Sequence, residues 1–169
     1  MGKIEFFVNV LHFCFYKGHY KLHLLANKIN PFQLIHKLPF QKRKYEELGL
    51  DIHKEIDKAF GDKVGGLSIM VAGGLLLAIE FFFFLTTIII LTGLIGQTIG
   101  LSIMPFLVSG VSAIIVSYFY VFRKEKYLYY FNKFEKWPKS DKRKYNYITI
   151  GFILVVFSLF IFSFRYFGS

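Results

Sequence analysis

Polar side chains recur through residues 4–30 as Glu5, Asn9, His12, Tyr16, His19, His23 and Asn27, at the three- and four-residue steps of one helix face. Ile, Phe, Leu, Val and Tyr fill most of the remaining positions, and Lys17, Lys21 and Lys28 flank the stripe. The pattern predicts a mainly apolar helix with one narrow polar stripe, able to break at Gly18 and ended by Pro31. Such a helix can lie in a membrane interface, or pack in an assembly with one side wet. Residues 31–40 hold two prolines and read as a connector. A second amphipathic helix is expected over about residues 42–60, with Tyr45, Leu48, Ile52, Ile56 and Phe60 on its apolar face. Gly49 weakens its middle.

The pattern changes at residue 65. From Gly65 to Phe122 the one side chain among Asp, Glu, Lys, Arg and His is Glu80. The uncharged run 81–122 would reach about 63 Å as one straight helix, roughly twice a hydrocarbon core. It must fold back, and Thr92-Gly93, Gly96-Gln97 and Gly100 supply the turn signals. The expected fold is an all-α integral membrane protein with three transmembrane helices, a tight hairpin plus one, preceded by amphipathic, membrane-associated helices in residues 1–63. The spans in the domain 64–169 are about 67–91, 101–122 and 147–167, with Pro105 near the first turn of the second. The third is short, so it extends toward Phe167 with Arg165 snorkelling. The intervening loop, 123–146, begins as an extension of the second span, with Tyr127, Phe131 and Phe134 at helical spacing beside Leu128. Trp137-Pro138 ends it, and Ser140 or Asp141 is placed to cap the third span.

Composition sharpens this picture. The chain has 169 residues, 54% hydrophobic and 20% aromatic, with a net charge of +10. That is too apolar for an ordinary soluble domain and for general disorder. The basic residues are distributed unevenly: eleven Lys and Arg in 1–63, none between the first two spans, nine in 123–146, and Arg165 alone beyond. By the positive-inside rule, the segment 1–63 and the loop 123–146 face the cytoplasm, and the short turn and the chain's end face outward. The expected location is a bacterial inner membrane or its equivalent. Tyr118, Tyr120, Tyr127, Tyr145 and Tyr147 mark the boundaries. A lone cysteine, Cys14, excludes an internal disulfide. Residues 4–16 are interrupted by Glu5, Asn9 and His12 and do not read as a cleaved signal peptide. Phe6 breaks the myristoylation pattern.

Glu80 is the residue with most chemical content, because a charged acid at mid-span costs about 2.5–3.5 kcal/mol on insertion scales. No Lys or Arg lies within a span to pair with it, since Arg165 is near the outer end of the third. The expected arrangement is a protonated Glu80 hydrogen-bonded near Ser109 and Ser112, either as a polar site lining a passage or as a structural tie. Gly73, Gly110 and Ala113 are expected at close helix contacts, with Ser102, Ser109, Ala113 and Ser117 close to one face. Phe81-Phe82-Phe83-Phe84 circles its helix, so most of the four must touch lipid or a neighbouring subunit. Lys142, Arg143 and Lys144 are expected to meet anionic headgroups, which attract such residues at about 1 kcal/mol each. This explains the basic, aromatic loop without nucleic acid.

His12, His19 and His23 share one face, and the last two have a chelating i, i+4 spacing. No carboxylate or cysteine accompanies them except Glu5, so no metal or cofactor is expected. His36 and His53 are isolated. No hydrolase, metalloprotease, P-loop or dinucleotide motif occurs. The expectation is a non-catalytic accessory or scaffold subunit of a larger membrane complex, meeting other subunits or itself. The alternative is a homo-oligomeric pore lined by Glu80.

Overall fold

The computed structural model describes residues 2–31, 38–96 and 102–166, apart from the side chain of His53. Gln97, Gly100, Leu101, His36 and Phe167 therefore lie outside the described residues. Every element within them is helical, and no strand occurs among them. The helices are α1 (Lys3–Ile29), α2 (Pro39–Glu47), α3 (Ile52–Gly61), α4 (Leu67–Leu94), α5 (Met104–Ser117), α6 (Lys126–Glu135) and α7 (Lys139–Ser163). A π-helical turn, Tyr118–Phe122, and a 3₁₀ turn, Arg123–Glu125, join α5 to α6. A final 3₁₀ turn is Phe164–Tyr166. Three helical stretches are long and apolar enough to cross a membrane, within Leu67–Leu94, Met104–Glu135 and Lys139–Tyr166.

Two expected elements are corrected. The amphipathic helix 42–60 is two helices, because Gly49 takes a left-handed φ of +64° that ends α2. Asp51 then caps α3 by accepting from the Lys54 N–H at 3.3 Å. The third span also starts earlier than its apolar residues do. Pro138 is the N-cap of α7, and neither Ser140 nor Asp141 caps it; both lie inside its first turn.

Contacts divide the chain into two units, Met1–Cys14 with Gly74–Ser169, and Phe15–Gly73, a division distinct from the one that charge and hydropathy place at residue 63. In the first unit, residues 8–13 of α1 are buried on every side. Phe6 packs on Phe134, Trp137 and Tyr145, and Phe7 on Phe152. Phe13 packs on Phe131 and Phe134. The inward stripe of α5 is Ser109, Ala113 and Ser117, each at most 2% exposed. Leu85 and Ile89 of α4 form a cluster with Phe81, Phe160 and Tyr166. A Cβ added at Gly93 would run into the Tyr166 ring, so glycine is what lets the final turn close on α4. The phenylalanine run is partly absorbed internally: Phe82 packs on Phe157 and Phe160, while Phe83 stays 41% exposed.

In the second unit, α3 lies along the later part of α1. The Tyr16 hydroxyl donates to the Gly61 carbonyl at 2.5 Å, taking one of the free acceptors at the end of α3. His23 stacks on Phe60 with ring centres 3.5 Å apart. The turn Asp62–Gly66 leads into α4, and a Cβ on Gly66 would strike the Asp62 carbonyl.

Candidate functional site

The polar stripe of α1 was expected to meet water, headgroups or another subunit. It faces inward instead. Asn9 and His12 are fully buried and Tyr16 is 2% exposed, while Ile4, Leu22, Leu25 and Ile29 are all more than half exposed. Periodicity finds the stripe; the direction it faces depends on what packs against it.

In the first unit the stripe holds the joint between α5 and α6. The π-helical turn opens the regular ladder, and Lys124 and Glu125 follow it with left-handed φ of 57° and 52°. Such conformations persist in non-glycine residues only where the surroundings fix them. Asn9 supplies part of that fixation: its Nδ2 donates to the Tyr120 carbonyl at 2.9 Å and to the Glu5 carbonyl at 2.8 Å. Glu5 holds the far side. One carboxylate oxygen accepts from Lys126 Nζ at 3.1 Å and the other from the Tyr130 hydroxyl at 3.0 Å. His12 sits among Phe122, Tyr127 and Phe131, with ring centres 5.2–5.6 Å away. The expected continuous extension of the second span is thus a bent joint followed by a separate helix. Tyr127, Tyr130, Phe131 and Phe134 form its buried face.

Partial burial disfavours the charged form of Glu5, but the bonds from Lys126 and Tyr130, with the Lys126 charge, outweigh it and hold the carboxyl below its ordinary value. A carboxyl lowered by folding contributes stability above its unfolded value of about 4.3. That contribution fades as the pH falls through the lower folded value. The thermal midpoint in detergent is therefore expected to hold from pH 7 to about 5 and to drop below about 4. Glu5→Gln should start lower and lose most of this acid step. An equally large acid step in Glu5→Gln would assign it to another group.

Glu80 is the second part of the site. It is 7% exposed on α4, and Ser117 Oγ of α5 donates to its Oε2 at 2.6 Å. Its other oxygen is buried with no hydrogen-bond partner among the described residues. The partner is Ser117, where Ser109 and Ser112 were expected. Ser109 is buried but turns back to the Pro105 carbonyl at 2.6 Å, and Ser112 is half-buried on a neighbouring face. Of the expected packing residues, Gly73 and Ala113 are buried, but an added Cβ at Gly110 would meet nothing within 4 Å.

The histidines do not converge. Nδ1 of His19 lies 3.1 Å from Ser68 Oγ, and Nε2 of His23 lies 3.6 Å from Asp57 Oδ1. No group of three metal-binding side chains occurs among the described residues. The basic triplet is divided as well. Lys142 donates to the Glu135 carbonyl at 2.7 Å, while Arg143 and Lys144 stay exposed beside Tyr147. Comparison of the chain with protein-family models, curated proteins and solved structures gives no match.

Proposed function

We propose that this chain is a non-catalytic integral membrane subunit, an accessory or scaffold component of a larger membrane protein complex. The observation that carries the reading is a set of small residues left open on the spans. Added Cβ atoms at Gly74, Gly110 and Gly151 would each meet nothing within 4 Å among the described residues. Around Gly110, α5 presents Leu107, Val111 and Ile114, each more than half exposed. Small residues allow close helix approach in lipid, where apolar surface alone gives no drive to associate. The polar groups best suited to chemistry are meanwhile engaged inside the fold: Asn9 and Glu5 at the joint, and Ser117 with Glu80.

In this reading residues 1–63 are membrane-associated helices. They and the basic segment 123–146 lie on the cytoplasmic side of a bacterial inner membrane or its equivalent, with the chain's end outside and anionic headgroups at the basic face. No cofactor and no nucleic acid takes part. The alternative is a homo-oligomeric pore, favoured by the buried carboxylate oxygen of Glu80 that has no partner among the described residues.

Purification from native membranes in mild detergent tests this. A complex with other chains at fixed stoichiometry is expected, lost in Gly110→Leu while the helical content persists. A symmetric ring of this chain alone, with ion flux abolished by Glu80→Gln, would favour the pore. A stable monomer would overturn both readings.

A further inference from the structure

We propose that the first two turns of α7 bind the phosphate headgroup of an anionic phospholipid, with one acyl chain lying along the same helix face. The site rests on α7 spanning the membrane, and it adds a defined lipid position to that reading. Lys139, Ser140, Arg143, Lys144 and Tyr147 line an open cup of about 490 Å³. Among the described residues no carboxylate pairs with Lys139, Arg143 or Lys144. Asp141, the single acid in residues 136–166, does not line the cup. Lys142 is turned away to the Glu135 carbonyl, so the cup has three cations and two hydroxyls, those of Ser140 and Tyr147, all able to donate to phosphate oxygens.

What lies below the cup points to a lipid over a free phosphate. Tyr147 forms part of the cup and also begins an exposed apolar file on α7. Tyr147 is 66% exposed, Ile150 52%, Leu154 61% and Ile161 69%, at the three-, four- and seven-residue steps of one face. Gly151 lies in that file, and its missing side chain leaves a dent open to any added Cβ. A headgroup in the cup therefore places its acyl chain on the apolar track that runs from Tyr147 through Ile150 to Leu154. The aromatic ring of Tyr147 stands at the boundary between them, where such rings sit in membranes.

The protein carries its own reporter. Trp137 is the single tryptophan, and its ring stacks on Tyr145 at 4.5 Å, beside the cup's Arg143 and Lys144 in sequence. The experiment uses the full chain in phosphatidylcholine vesicles containing a rising fraction of phosphatidylglycerol brominated on its acyl chains. Trp137 quenching is expected to saturate at a low fraction. Arg143→Ala/Lys144→Ala should raise the half-saturating fraction about 30-fold. Lys133→Ala/Lys136→Ala, which removes the same charge at the end of α6, should change it by less than about threefold. Gly151→Leu, with both cations intact, should also weaken the quenching.

Equal quenching by brominated phosphatidylcholine would overturn the site, as would equal shifts from the two double variants. Displacement of the lipid by inorganic phosphate or by an oligonucleotide at equal concentration would also overturn it. Flotation of the protein with plain phosphatidylcholine vesicles after an alkaline wash reports membrane spanning separately. Failure there removes both readings; success there without selective quenching removes the headgroup site alone.

Discussion

Glu80→Ala is expected to lower the stability of the detergent-solubilised protein by about 2–4 kcal/mol, read as the midpoint of helix loss on heating. The substitution removes a 2.6 Å hydrogen bond between α4 and α5, leaves the Ser117 hydroxyl without its acceptor, and empties a volume that is 93% shielded. Ser117→Ala should cost less, about 1–2 kcal/mol, since the carboxyl keeps its packing. The two losses should be non-additive in the double variant, as for any pair in direct contact. Glu80→Gln is expected to stay close to the native midpoint, because its amide oxygen accepts from Ser117 as the carboxyl does. If Gln is as damaging as Ala, the site requires a negative charge, and the structural tie between the helices is not the main role of Glu80.

The largest loss is expected at Asn9. Both of its described hydrogen bonds are donated from Nδ2 to backbone carbonyls, those of Glu5 and Tyr120. Asn9→Ala removes both bonds at a residue with no exposure, and leaves the Tyr120 carbonyl without this donor. Asn9→Asp is close in shape but replaces the donor with a third acceptor facing two others. It should therefore be worse than Ala, by about 3–5 kcal/mol relative to the native protein. Hydrogen exchange should show the damage concentrated at residues 118–131, with the far end of α7 protected as before. An Asp variant more stable than the Ala variant would mean that Asn9 does not secure the joint through its donor group.

The three helices long and apolar enough to cross a membrane were legible because they rest on length and on the absence of charge, both of which one sequence displays directly. The uncharged run beginning at residue 81 could not be one helix in a bilayer, and Leu67–Leu94 with Met104–Ser117 is how the chain divides it. The face of the polar stripe in α1 was legible too. Its direction was not, since Asn9 and His12 are buried by segments more than a hundred residues away. Matching depth across a turn suggested Ser109 and Ser112 as partners of Glu80. Ser117 holds that place because it shares the inward face with Ser109 and Ala113, and the acceptor of Ser109 is its own helix. The joint after α5 had no signal at all. Its two left-handed residues are Lys124 and Glu125, where glycine or asparagine would have announced the bend.

That joint also bears on the order in which the molecule is made. Glu5 leaves the ribosome 121 residues before Lys126 and 125 before Tyr130, and Asn9 leaves 111 before Tyr120. The hydrogen bonds that Glu5 and Asn9 make to the joint and to α6 cannot form while α4 and α5 are being synthesised. Contacts so distant in sequence form late. Glu5 and Asn9 are therefore made long before the contacts that fix them, and they help to lock a bend more than a hundred residues further along the chain.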